Sequence, residues 1–265
     1  MSSQFMGVFS IGTTLDRGLR LYKMTIGKVF PILIIPMFIG FIPYFNTSSM
    51  LNTPRISPLY IIVTIINFFV GTWAGAVIIR YMQRTIMGET ISASQMLKLA
   101  DGRDFLSIFS YLIWGLLSVV SLFLLIIPFF YFANIMLMGW VLIFVERRYF
   151  FDGISRAFFL VKKRWWKTFA INFISFLIMF VPMIIAITIF SFVSALALKG
   201  GTSSRIFFLG GMVIYGGVIA LVAPIFTSIV LVHYNSLRCE KESMDLEKSI
   251  NEIGEARVQE APAAL

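Results

Sequence analysis

Apolar residues run in long blocks along this chain, and charges mark where each block ends. Five stretches, residues 29–54, 56–79, 105–145, 168–198 and 206–237, contain no Asp, Glu, Lys or Arg. Burying an ionised side chain in hydrocarbon costs several kcal/mol, and about 20 apolar residues of helix cross a core of about 30 Å, so each block predicts membrane-spanning helix. The third block holds 41 residues, about twice what one span needs. Pro128 lies near its middle and removes a backbone donor there, which predicts a hairpin of two spans; one long, tilted or re-entrant helix is the alternative. The pattern predicts an all-α integral membrane protein with six transmembrane helices, at about 30–45, 59–82, 105–127, 129–145, 169–197 and 207–233.

The polar segments that precede alternate spans are amphipathic. In 11–28, Leu15, Leu19, Tyr22 and Ile26 recur at helical spacing, with Arg17, Arg20 and Lys23 on the other side. In 154–167, Ile154, Ala157, Phe158, Val161 and Trp165 form a stripe, and Arg156, Lys163 and Lys167 lie off it. A third piece, 91–103, sets Met96, Leu97 and Leu99 beside Lys98 and Arg103. Such helices lie in the headgroup layer, with Trp165 and Trp166 at the interface and basic side chains reaching anionic lipid. Residues 18–30 also align with 157–169, with identity at Leu21 and Leu160, Lys23 and Lys162, Lys28 and Lys167, and Phe30 and Phe169. The chain therefore reads as three pseudo-repeats, each an interfacial helix followed by a two-helix hairpin.

Composition excludes a free cytosolic enzyme: 58% of residues are hydrophobic and 13% charged, about half the usual charged share. A net charge of +9 would suggest nucleic acid in a soluble protein. Here 19 of the 22 basic residues fall before the first span, in the second and fourth connections and after the last span. Only Arg55, Lys199 and Arg205 fall elsewhere. Short basic loops stay cytoplasmic, so the charge is a topology signal that predicts both termini in the cytoplasm and no nucleic-acid partner. Residues 1–14 carry no positive region ahead of a short apolar core, so the first span is expected to direct insertion.

From Arg238 onward the character changes. Residues 238–265 have four basic and seven acidic side chains, a net −3, which leaves +12 on the membrane domain of residues 1–237. Leu246, Ile250 and Ile253 recur at helical spacing after Ser243, a plausible N-cap. They predict a short amphipathic helix in a cytoplasmic acidic tail, a solvated tail being the alternative.

Candidate chemistry is sparse. His233 and Cys239 are each the sole residue of their type, and a catalytic or metal site normally needs a cluster, so no catalytic, cofactor or metal residue is expected. Glu146 ends a span, where a carboxylate opposes the helix dipole and needs a cation. Arg20 or Arg156 would supply it from an interfacial helix and fasten that helix to the bundle; a proton relay is the competing role. Gly71 and Gly75 form a GxxxG, and Gly210, Gly211, Gly216, Gly217 and Ala220 make the last span rich in small residues. Small residues let helix backbones approach, within one chain by default, or against a second copy or another membrane protein. Asn67, Asn134, Asn172, Thr188 and Ser191 are isolated polar groups inside spans. The absence of an ionisable residue at membrane depth weighs against ion-coupled transport but permits a path for lipid or a neutral solute.

The run Ile11-Gly-Thr-Thr-Leu-Asp-Arg-Gly-Leu-Arg-Leu-Tyr-Lys23 resembles the opening motif of the membrane domain associated with bacterial glycerophosphoryl diester phosphodiesterases. Ile126-Ile-Pro128, Val145-Glu146, Asp152-Gly-Ile-Ser-Arg-Ala157 and Arg164-Trp-Trp166 are similar to its central signature, although Phe129 stands where the family has Gly. Tyr234-Asn-Ser-Leu-Arg238 and Asp245-Leu246 resemble its closing segment. The resemblance covers nearly the whole chain and implies a stand-alone membrane domain of the bacterial inner membrane. The phosphodiesterase barrel is missing: no soluble stretch is long enough for one, and its metal-binding carboxylate and histidine set is absent. The expected function is that of a non-catalytic accessory or scaffold subunit that binds a membrane-protein partner, forms a homo-oligomer or organises lipid. A channel or transporter for lipid or a small neutral solute is the alternative.

Overall fold

In the computed structural model, residues 4–46, 58–124, 126–199 and 204–242 are described. Eight α-helices follow one another: α1 (Ile11–Asn46), α2 (Pro58–Ile86), α3 (Ala93–Leu97), α4 (Leu106–Leu124), α5 (Ile126–Glu146), α6 (Phe150–Val161), α7 (Trp165–Lys199) and α8 (Ser204–Glu242). A 3-10 turn, Gly102–Phe105, leads into α4, and no strand occurs among the described residues. Six of the helices, all but the short α3 and α6, are long and apolar enough to cross a membrane.

The 41-residue block is a hairpin. Helix α4 ends at Leu124 and α5 begins at Ile126. Pro128 therefore sits in the first turn of α5, where its missing N–H leaves no helical bond unmade, rather than between the two helices. The two helices run antiparallel, with the Tyr111 and Phe144 rings 6.4 Å apart and Trp114 filling the notch at Gly139, where a Cβ would come within 2.4 Å of the indole.

The three segments that precede spans take three different forms. Residues 11–28 are not a separate interfacial helix but the opening turns of α1, a single helix of 36 residues. Its buried stripe is Thr14, Gly18, Leu21, Thr25, Val29 and Ile32, one step around from the predicted Leu15, Leu19, Tyr22 and Ile26. Close approach decides the face. Gly18 lies against Ile229 of α8, so that a Cβ there would fall 2.5 Å from the Ile229 side chain. Thr14 and Thr25 can be buried because their hydroxyls donate to the carbonyls of Ser10 and Leu21, each at 2.8 Å. The second segment is the five-residue α3, opened by a capping box of Ser92 and Gln95. The third is α6, a separate helix of 12 residues.

Helix α6 buries Gly153, Ala157, Leu160 and Val161 and leaves Phe151, Phe158 and Phe159 exposed, so its buried face is also rotated from the predicted stripe. It starts against α4: the Phe150 N–H donates to Ser110 Oγ at 3.0 Å and Trp114 Nε1 donates to the Phe150 carbonyl at 3.1 Å. Trp165 and Trp166 open α7 rather than closing α6.

At the other terminus, α8 runs without a break through Arg238 to Glu242. The boundary expected at 237–238 therefore cuts a helix, and Cys239 is buried in it. The predicted tail helix, with Leu246, Ile250 and Ile253, lies outside the described residues.

The start of α1 and the end of α8 share one end of the bundle, where the Phe9 N–H donates to Ser236 Oγ at 3.1 Å. The ends of α2 and α5 and the starts of α4 and α7 lie there too, as the contacts below show. This basic end holds the core: residues 76–83 of α2, 141–144 of α5 and 228–237 of α8 are continuously buried. The opposite half of each helix presents Ile, Leu, Val and Phe outward, the surface expected against hydrocarbon.

Candidate functional site: a polar layer and a groove between three helices

Two charge clusters, one buried and one partly buried, close the basic end. In the first, Arg80 of α2 donates from Nε to the Phe144 carbonyl at 2.9 Å and from its terminal nitrogens to both carboxylate oxygens of Asp104, with Asp104 Oδ2 at 2.7 Å. The Asp101 N–H donates to the same Oδ2 at 2.8 Å. Every charge-bearing edge is matched, which is the condition for burying an ion pair in a low dielectric. The pair ties α2 to α5 and to the turn that starts α4.

In the second, Arg156 of α6 grips Glu146 with two parallel bonds, Nε to Oε2 at 2.9 Å and a terminal nitrogen to Oε1 at 3.0 Å. Tyr234 of α8 donates its hydroxyl to Oε1 at 2.6 Å. Arg148 and Arg238 lie 3.2 and 3.4 Å from the same carboxylate. Glu242 joins Arg156 and receives Arg238 Nε at 3.0 Å. Burial works to lower the Arg156 pKa, but its bonds to Glu146 and Glu242 outweigh that and hold it above its ordinary value. Arg20 is not part of the cluster; it is exposed and faces Asp16 at 3.9 Å and Gln4 at 3.5 Å.

Neutral pairs continue the layer inward. Gln83 of α2 and Asn235 of α8 exchange two amide bonds, 3.1 and 2.9 Å. His233 Nε2 lies 3.0 Å from Thr168 Oγ1. Asn172 of α7 donates to Asn134 of α5 at 2.9 Å, and Asn134 donates to the Phe130 carbonyl at 2.9 Å. Two of the three candidate channel amides thus bond to each other, while Asn172 Oδ1 is buried without a partner.

Below this layer, α2, α4 and α5 enclose a groove of about 960 Å³. Gly71, Gly75, Gly115, Ala133, Met136 and Phe144 are among the residues that line it, and Asn67 lies in its wall. The buried Asn67 Oδ1 has no hydrogen-bond partner. The hydroxyls of Thr64, Thr72 and Ser118 in the lining donate to their own helix carbonyls at Tyr60, Phe68 and Trp114, so the wall is largely apolar, with Asn67 Oδ1 and the Tyr111 hydroxyl left unpartnered. The groove follows α2 from Thr64 to Gly75, about 16 Å at 1.5 Å per residue.

The glycines of the second span make this space instead of a helix contact. A Cβ at Gly71 or Gly115 would meet nothing within 4 Å, and one at Gly75 would meet only Phe144 at 4.0 Å. The close helix approaches occur at Gly18, Gly139, Gly211 and Gly216, where a Cβ would fall 2.4 to 2.6 Å from Ile229, Trp114, Phe190 and Met37. Of these, only Gly211 and Gly216 belong to the small-residue group singled out in the sequence.

Trp165 stacks between Tyr131 and Phe169, at centroid distances of 5.7 and 5.3 Å. Trp166 is 76% exposed beside it. Among the described residues no cluster of three or more His, Cys, Asp and Glu side chains could hold a metal.

Sequence reasoning missed Arg80 and Asp104 as partners. Their signal was present: they are the first charge after one charge-free block and the last charge before the next, at ends that a hairpin topology brings together. Compared with protein families, curated proteins and solved structures, the chain matches none.

Proposed function

We propose that this protein is a non-catalytic, multi-pass component of the bacterial inner membrane that holds and organises lipid at its cytoplasmic face. The positive-inside rule would place the basic end, and with it both termini, in the cytoplasm. The three differing pre-span segments would all meet the headgroup layer at that end. There, Lys162, Lys163 and the exposed Phe151, Phe158, Phe159 and Trp166 form a basic and aromatic rim suited to anionic lipid.

The observation that carries the reading is the groove. It lies at the depth of the spans, is largely apolar, and is lined by Gly71 and Gly115, where a Cβ would meet nothing within 4 Å. Its length of about 16 Å is half of a hydrocarbon core of about 30 Å, the reach of one leaflet's acyl chains. A solute channel has less support. It would need a continuous polar lining, whereas Asn134 and Asn172 bond to each other and only Asn67 borders the space.

Native mass spectrometry of the full chain, extracted in a mild detergent, tests this. Wild type is expected to retain a phospholipid adduct, and Gly71→Leu, which puts a side chain into the groove, is expected to lose it at an unchanged melting temperature. Equal adducts on both proteins would overturn the reading. A second membrane protein retained in fixed ratio would replace it with a scaffold role.

A further inference from the structure

Lipid tails are as apolar as the groove, so a chain entering it from the bilayer gains packing but no hydrophobic free energy. Preference for one lipid over its neighbours must come from the headgroup. A second cavity of about 360 Å³ has Arg80, Gln83, Arg84, Glu89 and Arg147 among its lining residues. Phe144 borders both spaces.

The charges of this cavity divide sharply. Arg80 is committed to Asp104 and shielded. Arg84 and Arg147 are half-exposed, and each is met by one half-exposed carboxylate, Glu89 at 3.2 Å and Asp101 at 2.8 Å. Such half-exposed surface pairs contribute little to stability, so a better-matched ligand can displace them. The backbone of Arg147 is left-handed, with φ of 57°, a conformation that a non-glycine residue adopts at some cost and that recurs at binding sites.

We infer that the groove and this cavity together form one site for a single zwitterionic phospholipid with a primary ammonium headgroup. The acyl chain lies along α2 from Gly75 toward Thr64. The phosphate takes Arg84 and Arg147, the pairing that guanidinium groups favour. Glu89 and Asp101 then lose their cations, and the ammonium restores the balance. An anionic headgroup without an ammonium would set two arginines against two carboxylates and a phosphate, one negative charge in excess, and a quaternary ammonium would have no N–H to donate to the carboxylates. The inference rests on the lipid reading of the groove and adds the headgroup to it.

The test is a native mass spectrometry titration of the delipidated full chain with phosphatidylethanolamine, phosphatidylglycerol and phosphatidylcholine of identical acyl chains. Wild type is expected to bind phosphatidylethanolamine at least tenfold more tightly than the other two. Arg84→Gln with Arg147→Gln is expected to lose that preference. Glu89→Gln, an exposed change with little bearing on folding, is expected to weaken phosphatidylethanolamine selectively. Gly71→Leu is expected to weaken all three lipids. Equal binding of the three lipids, or preference for phosphatidylglycerol, overturns the headgroup inference; if Gly71→Leu still abolishes binding in that case, the groove reading stands. Binding that survives Gly71→Leu overturns both.

Discussion

The two halves of this bundle are built from the same helices on opposite rules. At the basic end, α2, α5 and α8 are buried on nearly all sides and joined by ion pairs and amide exchanges: Arg80 with Asp104, Arg156 with Glu146, Gln83 with Asn235. In the other half the same helices turn Ile61, Ile62, Ile65, Ile66, Val213 and Ile214 outward, and the space between α2, α4 and α5 is left open. Polar bonds in a low dielectric are directional and costly to break, so they fix helix positions. Apolar contacts against lipid cost little to exchange. The contrast describes a polar, fastened platform at one end with a more exposed apolar half beside it, an arrangement that fits the proposed lipid-holding role.

The sharpest way to break the contrast is to unpair the platform. Asp104→Ala leaves the Arg80 guanidinium buried without its carboxylate, and removal of one partner of a buried pair costs about 3–5 kcal/mol. Loss of monodisperse protein, or a large drop in melting temperature, is expected in detergent thermal-shift measurements. The double change Arg80→Met with Asp104→Leu is expected to recover part of the loss, since it leaves no stranded charge. Next comes Gly139→Ala, whose new methyl group meets the Trp114 ring; overpacking of this kind costs about 1–3 kcal/mol, read by the same assay. Glu146→Gln weakens the hold on Arg156 and Tyr234 by a similar amount, about 1.5–3 kcal/mol for bonds to a charged group. It is expected to lower the melting temperature while Arg20→Ala leaves it unchanged. An unaltered melting temperature in Glu146→Gln would end the idea that this carboxylate fastens α6. The smallest effect is expected at Gly71→Ala, which reaches into the open groove and should shift stability by no more than about 0.5 kcal/mol. A clear loss there would mean that the groove is closed by contacts in the membrane.

The spans were legible in the sequence because hydrocarbon excludes charge, and the charge-free blocks match the six long helices to within a few residues at most ends. The hairpin of α4 and α5 was legible from block length, though Pro128 marks the first turn of α5 and not the break. The larger departure is α1, which extends beyond its predicted span at the N-terminal side because the preceding amphipathic segment continues it.

Helix faces were much less legible. Hydropathy favours Leu15 and Leu19 over Thr14 and Gly18, yet contact with α8 goes to the residues that allow the closest approach. The Gly71 and Gly75 spacing shows that a backbone can be approached, and nothing in it says whether a neighbour comes. Glu146 was legible as a group in need of a cation, with Arg20 and Arg156 as the choices; only the separate helix α6 brings Arg156 into reach. Glu242 was hidden because the end of α8 read as the start of a tail, and Tyr234, read within the membrane domain, carried no sign that its hydroxyl reaches Glu146.

The most direct test of the lipid-holding account is an electron cryomicroscopy map of the full chain in nanodiscs drawn from its native membrane. The account expects elongated density along α2 from Gly75 to Thr64, leading to a headgroup beside Arg84 and Arg147. A groove closed by α2 packing onto α4, or filled by a helix of another chain, would contradict it.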